Sequence, residues 1–262
     1  MKIHNYMKPS SREEAYELLI DGGQIIGGGA WLKLMPKTIE NAIDISGLGL
    51  DQITTTDTSI RIGSMTTLRM IETNEIISGF MDGIVSDAAS HIMGVTLRNI
   101  ASIGGSVVNR FGFSDMLTPL LAIGASLHFY KHGIISLEGY LSNPFKDKDL
   151  LIEIILDKQV GKACYSSVKK TSTDFPVINV AVSQVDGTYR VAVGARPGVA
   201  KLAPKLMLQL NGADMLEEAD IETMVAELNE DIVYGSNSRG SASYRSHIAQ
   251  TLVKRCLKEV VR

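Results

Sequence analysis

Two stretches of this sequence put glycines where side chains would obstruct a ligand. Ile25-Ile26-Gly27-Gly28-Gly29-Ala30-Trp31-Leu32 sets three glycines straight after an apolar run, a costly choice unless the backbone must turn tightly or approach something closely. Something should lie against that loop. Ser102-Ile103-Gly104-Gly105-Ser106-Val107-Val108 again removes side chains at two successive positions beside hydroxyl donors. Successive amides left uncovered in this way form an anion nest, and two nests can hold one pyrophosphate between them. Either stretch alone reads as an ordinary tight turn, since neither GxGxxG nor a GxxxxGK phosphate loop occurs.

Other reactive residue types point away from metal or thiol chemistry. Cys164 and Cys256 are the only cysteines. Two thiols cannot supply a four-ligand iron–sulfur or zinc site, give no disulfide framework, and suit a reducing cytoplasm. Cys256 falls on a helical apolar stripe and reads as core. His4, His91, His128, His132 and His247 have no mutual spacing for a metal site. Asp115 precedes an apolar helix, where an acid interacts favourably with the helix dipole. Lys169 and Lys170 are adjacent, so one of them should face solvent.

These residues need elements to position them. Ser11 is read as a helix cap, with Glu14 reaching back in a capping box, and the short apolar runs 24–26 and 42–45 read as buried strands. Residues 60–63 alternate as a strand, and 80–92 carry apolar residues at helical spacing. A hairpin is expected around Lys131-His132-Gly133 and another around Asp186-Gly187. Apolar helix stripes follow at 221–228 and 248–261. The fold class is α+β: two small α/β subdomains, about 1–54 and 55–157, then an α+β C-terminal domain, 158–262, with an antiparallel sheet and helices.

Composition narrows the function. The 262 residues are 45% hydrophobic and 21% charged, enough to bury a core, and the net charge is −3. No basic excess favours nucleic acid or an anionic membrane surface. The N-terminus lacks an apolar leader core and each long apolar run is interrupted, so the expectation is a soluble cytoplasmic chain with no membrane partner.

The flanks of the glycine stretches resemble the FAD-binding medium subunit of the molybdenum hydroxylases, the xanthine dehydrogenase and carbon monoxide dehydrogenase type. Gly27 to Leu32 is similar to that family's A-G-G-T/S-x-L loop, and Arg98-Asn99-Ile100-Ala101-Ser102-Ile103-Gly104-Gly105-Ser106 to its R-N-x-A-T/S-I-G-G-N/S segment. Ile62-Gly63-Ser64-Met65-Thr66-Thr67-Leu68 resembles I-G-A-x-T-T-L, and Ser238 to Arg245 the closing R-G-S-A-x-Y-R. Ser114-Asp115 and the Lys170-x-x-x-Asp174 spacing also match. The resemblance runs over the whole chain. Two departures stand out: Ala30 lacks the hydroxyl of the usual Thr or Ser, and Arg110-Phe111-Gly112 replaces A-S/D-P. Arg110 reads equally as a cation near a diphosphate or as a surface charge.

The resemblance implies a two-part FAD-binding fold followed by the family's C-terminal domain, and one FAD held by residues 25–32, Thr66, Ser102 to Ser106, Asn109, Asp115, Lys170 and Asp174. It implies no catalytic residue and no metal ligand in this chain. It further implies an iron–sulfur subunit carrying 2Fe-2S clusters and a molybdenum-binding subunit carrying molybdopterin as partners. Electrons from a hydroxylation, commonly of a purine such as xanthine, would then leave through FAD to NAD or another acceptor, in an assembly that could pair as a dimer of heterotrimers. Two rivals are a self-sufficient FAD-dependent oxidoreductase and an assembly subunit that has lost FAD.

Overall fold

The computed structural model describes residues 1–213 and 216–261. They form two compact units that interleave along the chain: residues 1–70, 94–109 and 125–158 in the first, and 71–93, 110–124 and 159–262 in the second.

The first unit holds eight strands, β1 (Lys2–Met7), β2 (Gln24–Ile26), β3 (Thr38–Asp44), β4 (Ile53–Thr55), β5 (Ser59–Gly63), β6 (Ser126–Phe129), β7 (Gly133–Ser136) and β8 (Leu151–Asp157). β1, β3 and β2 make a parallel sheet in that order; β4, β5, β8, β6 and β7 make an antiparallel one. The parallel connection from β1 to β2 requires a crossover, and the helix Arg12–Ile20 provides it. Its cap differs from the expected box. Ser11 accepts from the Glu14 amide, but the Glu14 carboxylate reaches the amide and hydroxyl of Ser10, one residue further back. At the other end Lys148 donates to the carbonyls of Leu19 and Gly23, neutralising the partial negative charge there. Ala15, Leu19, Ile43, Ile45, Leu50, Leu150 and Ile152 form the core beneath.

The second unit is built on one antiparallel sheet, β9 (Gly161–Lys169), β10 (Pro176–Val185), β11 (Thr188–Gly194) and β12 (Lys201–Leu202), in the order β12, β11, β10, β9. The β10–β11 turn is the expected Asp186-Gly187, both residues at positive φ (48° and 78°), as a two-residue hairpin of matching twist requires. The first eight residues of β10 are all buried, a pattern of a strand covered on both faces. Helices Pro204–Gly212 and Ala242–Val261 pack on the sheet, as do Ile84–Ser90 and Leu117–Ala122. The latter two come from the middle of the sequence, so compactness in space and continuity in sequence part company here.

The helical spacing at 80–92 resolves into a tight turn at Met81–Gly83 and a helix only from Ile84. Met81, Asp82 and Gly83 adopt φ of 49°, 53° and 72°, which a right-handed helix excludes. The helix at 204–212 and strand β9 give weak periodic signals and are not anticipated. Among the described residues no helix is long and apolar enough to cross a membrane.

Candidate functional site

The first glycine loop leaves β2 beside the segment that precedes the second. A Cβ on Gly28 would stand 1.3 Å from the Ile100 carbonyl oxygen, and one on Gly27 would stand 2.6 Å from the Ser102 Oγ. What lies against this loop is therefore the chain itself. Only a residue without a side chain permits that approach. Gly29 has a different reason, a left-handed φ of 66° with open space around it.

The second stretch is fixed from beneath by residues 64–68. Ile103 donates its amide to the Thr66 carbonyl (2.9 Å), Gly104 to that of Ser64 (2.8 Å), and Leu68 to that of Ala101 (2.8 Å). A Cβ on Gly104 would meet the Ser64 carbonyl at 2.6 Å. Ser102 caps the short helix Ile103–Val108 by accepting from the Gly105 amide, and Ser106 returns its amide to the Ser102 carbonyl. All four amides from Ile103 to Ser106 are thus occupied within the chain. This corrects the expectation of a second anion nest: the glycines here serve packing against Ser64, the Ser106 hydroxyl donates to the Ser102 carbonyl, and the Ser102 hydroxyl, which accepts from Gly105, keeps its proton to donate.

The first loop is the opposite case. Among the described residues no hydrogen bond engages the amide of Gly28, Gly29 or Ala30, and Gly28 is exposed on the side away from Ile100. Three successive donors without a partner in the chain are what an anion nest would use. Ile25 and Ile26 pair with Ile43 and Asp44, Trp31 and Leu32 are half-buried, and Asn109 donates its side-chain amide to the Gly105 carbonyl. Thr66 is fully buried, and its hydroxyl and that of Ser64 have no partner among the described residues.

Asp115, Lys170 and Asp174 belong to the second unit. The buried Asp115 accepts from the Tyr165 hydroxyl (2.5 Å) and from the Lys169 ammonium (3.2 Å), which also donates to the His91 carbonyl. Burial raises the Asp115 carboxyl above its ordinary range against the opposing pull of Lys169 and Tyr165, and burial followed by the Asp115 charge holds the Tyr165 hydroxyl well above its own. The two adjacent lysines point different ways, one inward and one to solvent, as their adjacency predicts. Strand alternation puts Lys169 on the face of Tyr165, whereas Lys170, past the strand end, is exposed and donates to the Ser238 carbonyl. Asp174 pairs with Arg239, whose guanidinium lies over the Phe175 ring. Arg110 is half-buried at a left-handed φ of 47°. The Tyr165-x-x-x-Lys169 spacing is the signal that sequence reasoning passed over.

Cys256 is core, as expected. Among the described residues no cluster of His, Cys, Asp or Glu could hold a metal ion. His4, His128 and His132 each face a carboxylate.

Comparison with known proteins now bears on this geometry. Residues 1–157 match the family model described as the FAD binding domain in molybdopterin dehydrogenase, and residues 163–260 match the CO dehydrogenase flavoprotein C-terminal domain. The chain is 29% identical over 259 residues to the uncharacterized protein YgfM of Escherichia coli K12, covering 96% of this chain and 94% of that one. It is 24% identical to the xanthine dehydrogenase FAD-binding subunit of Escherichia coli O157:H7 (98% and 96% covered) and 26% identical to the nicotine 6-hydroxylase medium subunit of Paenarthrobacter nicotinovorans (97% and 96%). In fold it is similar to a chain of the carbon monoxide dehydrogenase of Hydrogenophaga pseudoflava, with a TM-score of 0.90 at 22% identity, covering 99% of this chain and 97% of that one.

Two outcomes follow from the packing. Gly28→Ala should cost about 3 kcal/mol or more, because the Ile100 segment must move, while Gly29→Ala should cost only about 1 kcal/mol for its left-handed backbone. Urea denaturation of both variants measures the difference, and equal costs would contradict the lock.

Lys169→Met should give a stability deficit that depends on pH. Without the ammonium, the folded Asp115 carboxyl is raised further above its unfolded value. Its contribution is then intact below about pH 4, where the unfolded carboxyl is also protonated, and is lost as pH rises towards the elevated folded value. The deficit against wild type should be small at pH 4 and grow to about 3 kcal/mol by pH 8. A deficit independent of pH would show that the ion pair is not the source.

Proposed function

Because this chain belongs to the FAD-binding medium subunits of the molybdenum hydroxylases, we propose that it is the electron outlet of a multi-subunit dehydrogenase. The observation that carries the proposal is the first glycine loop, whose three amides are unengaged and whose Gly28 packs directly against the Ile100 carbonyl. They fit the diphosphate of FAD. In this reading Gly28, Gly29 and Ala30 donate to the phosphates, and the Ser102 hydroxyl, beside Gly27, keeps its own proton to donate. Ala30 brings no hydroxyl, so the amides bear the binding. Residues 25–32, Thr66, Ser102 to Ser106 and Asn109, all in the first unit, make up the proposed site. The internal bonds of Asp115, Lys170 and Asp174 support a role in fixing β9 and the turn after it.

When bound, FAD supplies the redox chemistry that links 2Fe-2S clusters of one partner to a soluble acceptor, for which NAD is our proposal. Xanthine or a related purine is the proposed substrate of the molybdenum partner, supported by the names of two relatives, though others are named for nicotine and glyceraldehyde. The proposed setting is the cytoplasm, in a dimer of heterotrimers with the iron–sulfur and molybdenum subunits. The two family-model matches, over 1–157 and 163–260, support a division into 1–157 and 158–262, and the change from the parallel to the antiparallel sheet supports a subdivision of the first part near 54.

The test is anaerobic. Flavin absorbance of the FAD-loaded chain should be unchanged by xanthine, and should bleach on substrate addition once the iron–sulfur and molybdenum partners are present. Bleaching in the isolated chain would establish a self-sufficient flavoenzyme instead, and an active complex whose flavin never bleaches would establish a structural subunit.

A further inference from the structure

The two cysteines are 92 residues apart in sequence, and their Sγ atoms are 2.6 Å apart in space. Nonbonded heavy atoms approach to about 3.5–4.0 Å, and a covalent S–S bond is about 2.05 Å. The separation is therefore nearer to a bond than to a contact. Cys164 is half-buried on β9, opposite Val182 of β10; Cys256 is fully buried on the helix Ala242–Val261, which packs on both strands. Each thiol is presented to the other by a regular element, so little backbone freedom remains to be lost on joining them.

We propose that Cys164 and Cys256 are a modification site: the pair closes to an intrachain disulfide when the chain meets a two-electron thiol oxidant such as hydrogen peroxide. The half-buried Cys164 is the sulfur such an oxidant reaches first. Its thiolate attacks one peroxide oxygen, the O–O bond breaks, and a sulfenic acid and one water result. The Cys256 sulfur then displaces that hydroxyl as a second water and forms the S–S bond. Two thiol protons and two electrons pass to one peroxide, and two waters account for its atoms.

The surroundings set the rate and the consequence. The hydrogen bond to Cys256, then burial, then Glu259 hold the Cys164 thiol far above its ordinary range. Thiolate is scarce, and oxidation is slow compared with an exposed cysteine. Once formed, the bond lies against the core and is shielded from reductants. The N-terminal end of the long helix is already tied down, since Arg245 donates to the carbonyls of Val177 and Ala195 and to the Asn237 side chain. The region of Cys256 packs mainly through Leu252, Val253, Leu257 and Val260. A disulfide there adds a covalent tie about three helical turns from the polar one, and closes a long loop in the unfolded chain.

The experiment exposes the reduced full chain to hydrogen peroxide for graded times, blocks remaining thiols with iodoacetamide in denaturant, and maps tryptic peptides without reduction. The expected product is a peptide pair joining Cys164 to Cys256, with both alkylated forms disappearing together and Tm rising by roughly 5–10 °C, reversibly with dithiothreitol after unfolding. Cys164→Ser, at the less buried position, should abolish both the cross-link and the Tm rise. Oxidation of Cys164 alone to sulfinic acid, with Cys256 still alkylated, would overturn the proposal. So would two intact thiols after prolonged exposure, or a Tm rise that survives in Cys164→Ser.

Discussion

The Ile100 carbonyl oxygen lies so near the α-carbon of Gly28 that no side chain fits between them, and the arrangement of the first unit depends on that contact. Residues 64–68 bind residues 101–104 through three backbone hydrogen bonds. Ser64 is in turn held by the Ile152 carbonyl of β8, and Met65 by that of Leu50. Main-chain hydrogen bonds therefore run from the antiparallel sheet through residues 64–68 to residues 101–104, and the adjoining Ile100 carbonyl packs against the loop that follows the parallel sheet. Main-chain contacts of this kind fix position without side-chain rotamer freedom, as a preorganised ligand loop requires.

The two glycine stretches look alike in sequence and act differently. In the second, the amides are consumed by Ser64, Thr66 and Ser102, so it works as a platform. In the first, the platform has already satisfied the loop's need for support, and its own amides stay available. The distinction rests on where backbone hydrogen bonds go. In the second unit the same economy appears around a buried charge: Asp115 would be costly alone, and Tyr165, Lys169 and the Lys169 bond to His91 make it tolerable.

Much of this was legible in the residues. Local signals performed well: the Ser11 cap, the Asp186-Gly187 turn and the Cys256 stripe each depend on neighbours within one turn or one hairpin. The family motifs carried the fold class and the FAD assignment, because they mark backbone positions that the loop geometry requires. What stayed hidden was nonlocal. Nothing in residues 84–90 or 117–122 announces that they cover the sheet formed by 161–202, and nothing near Cys164 announces Cys256. Which of Lys169 and Lys170 is buried turns on strand register, which a fixed motif spacing does not reveal. Glycine pairs alone could not tell a platform from a nest, since both demand the absence of Cβ.

Amide hydrogen exchange of the isolated chain, with and without FAD, tests the central claim most directly. The account predicts that the amides of Gly28, Gly29 and Ala30 exchange rapidly in the free chain and become protected on FAD binding, while those from Ile103 to Ser106 are protected in both states. FAD binding that leaves the amides of Gly28 to Ala30 exchanging as fast as before would contradict it.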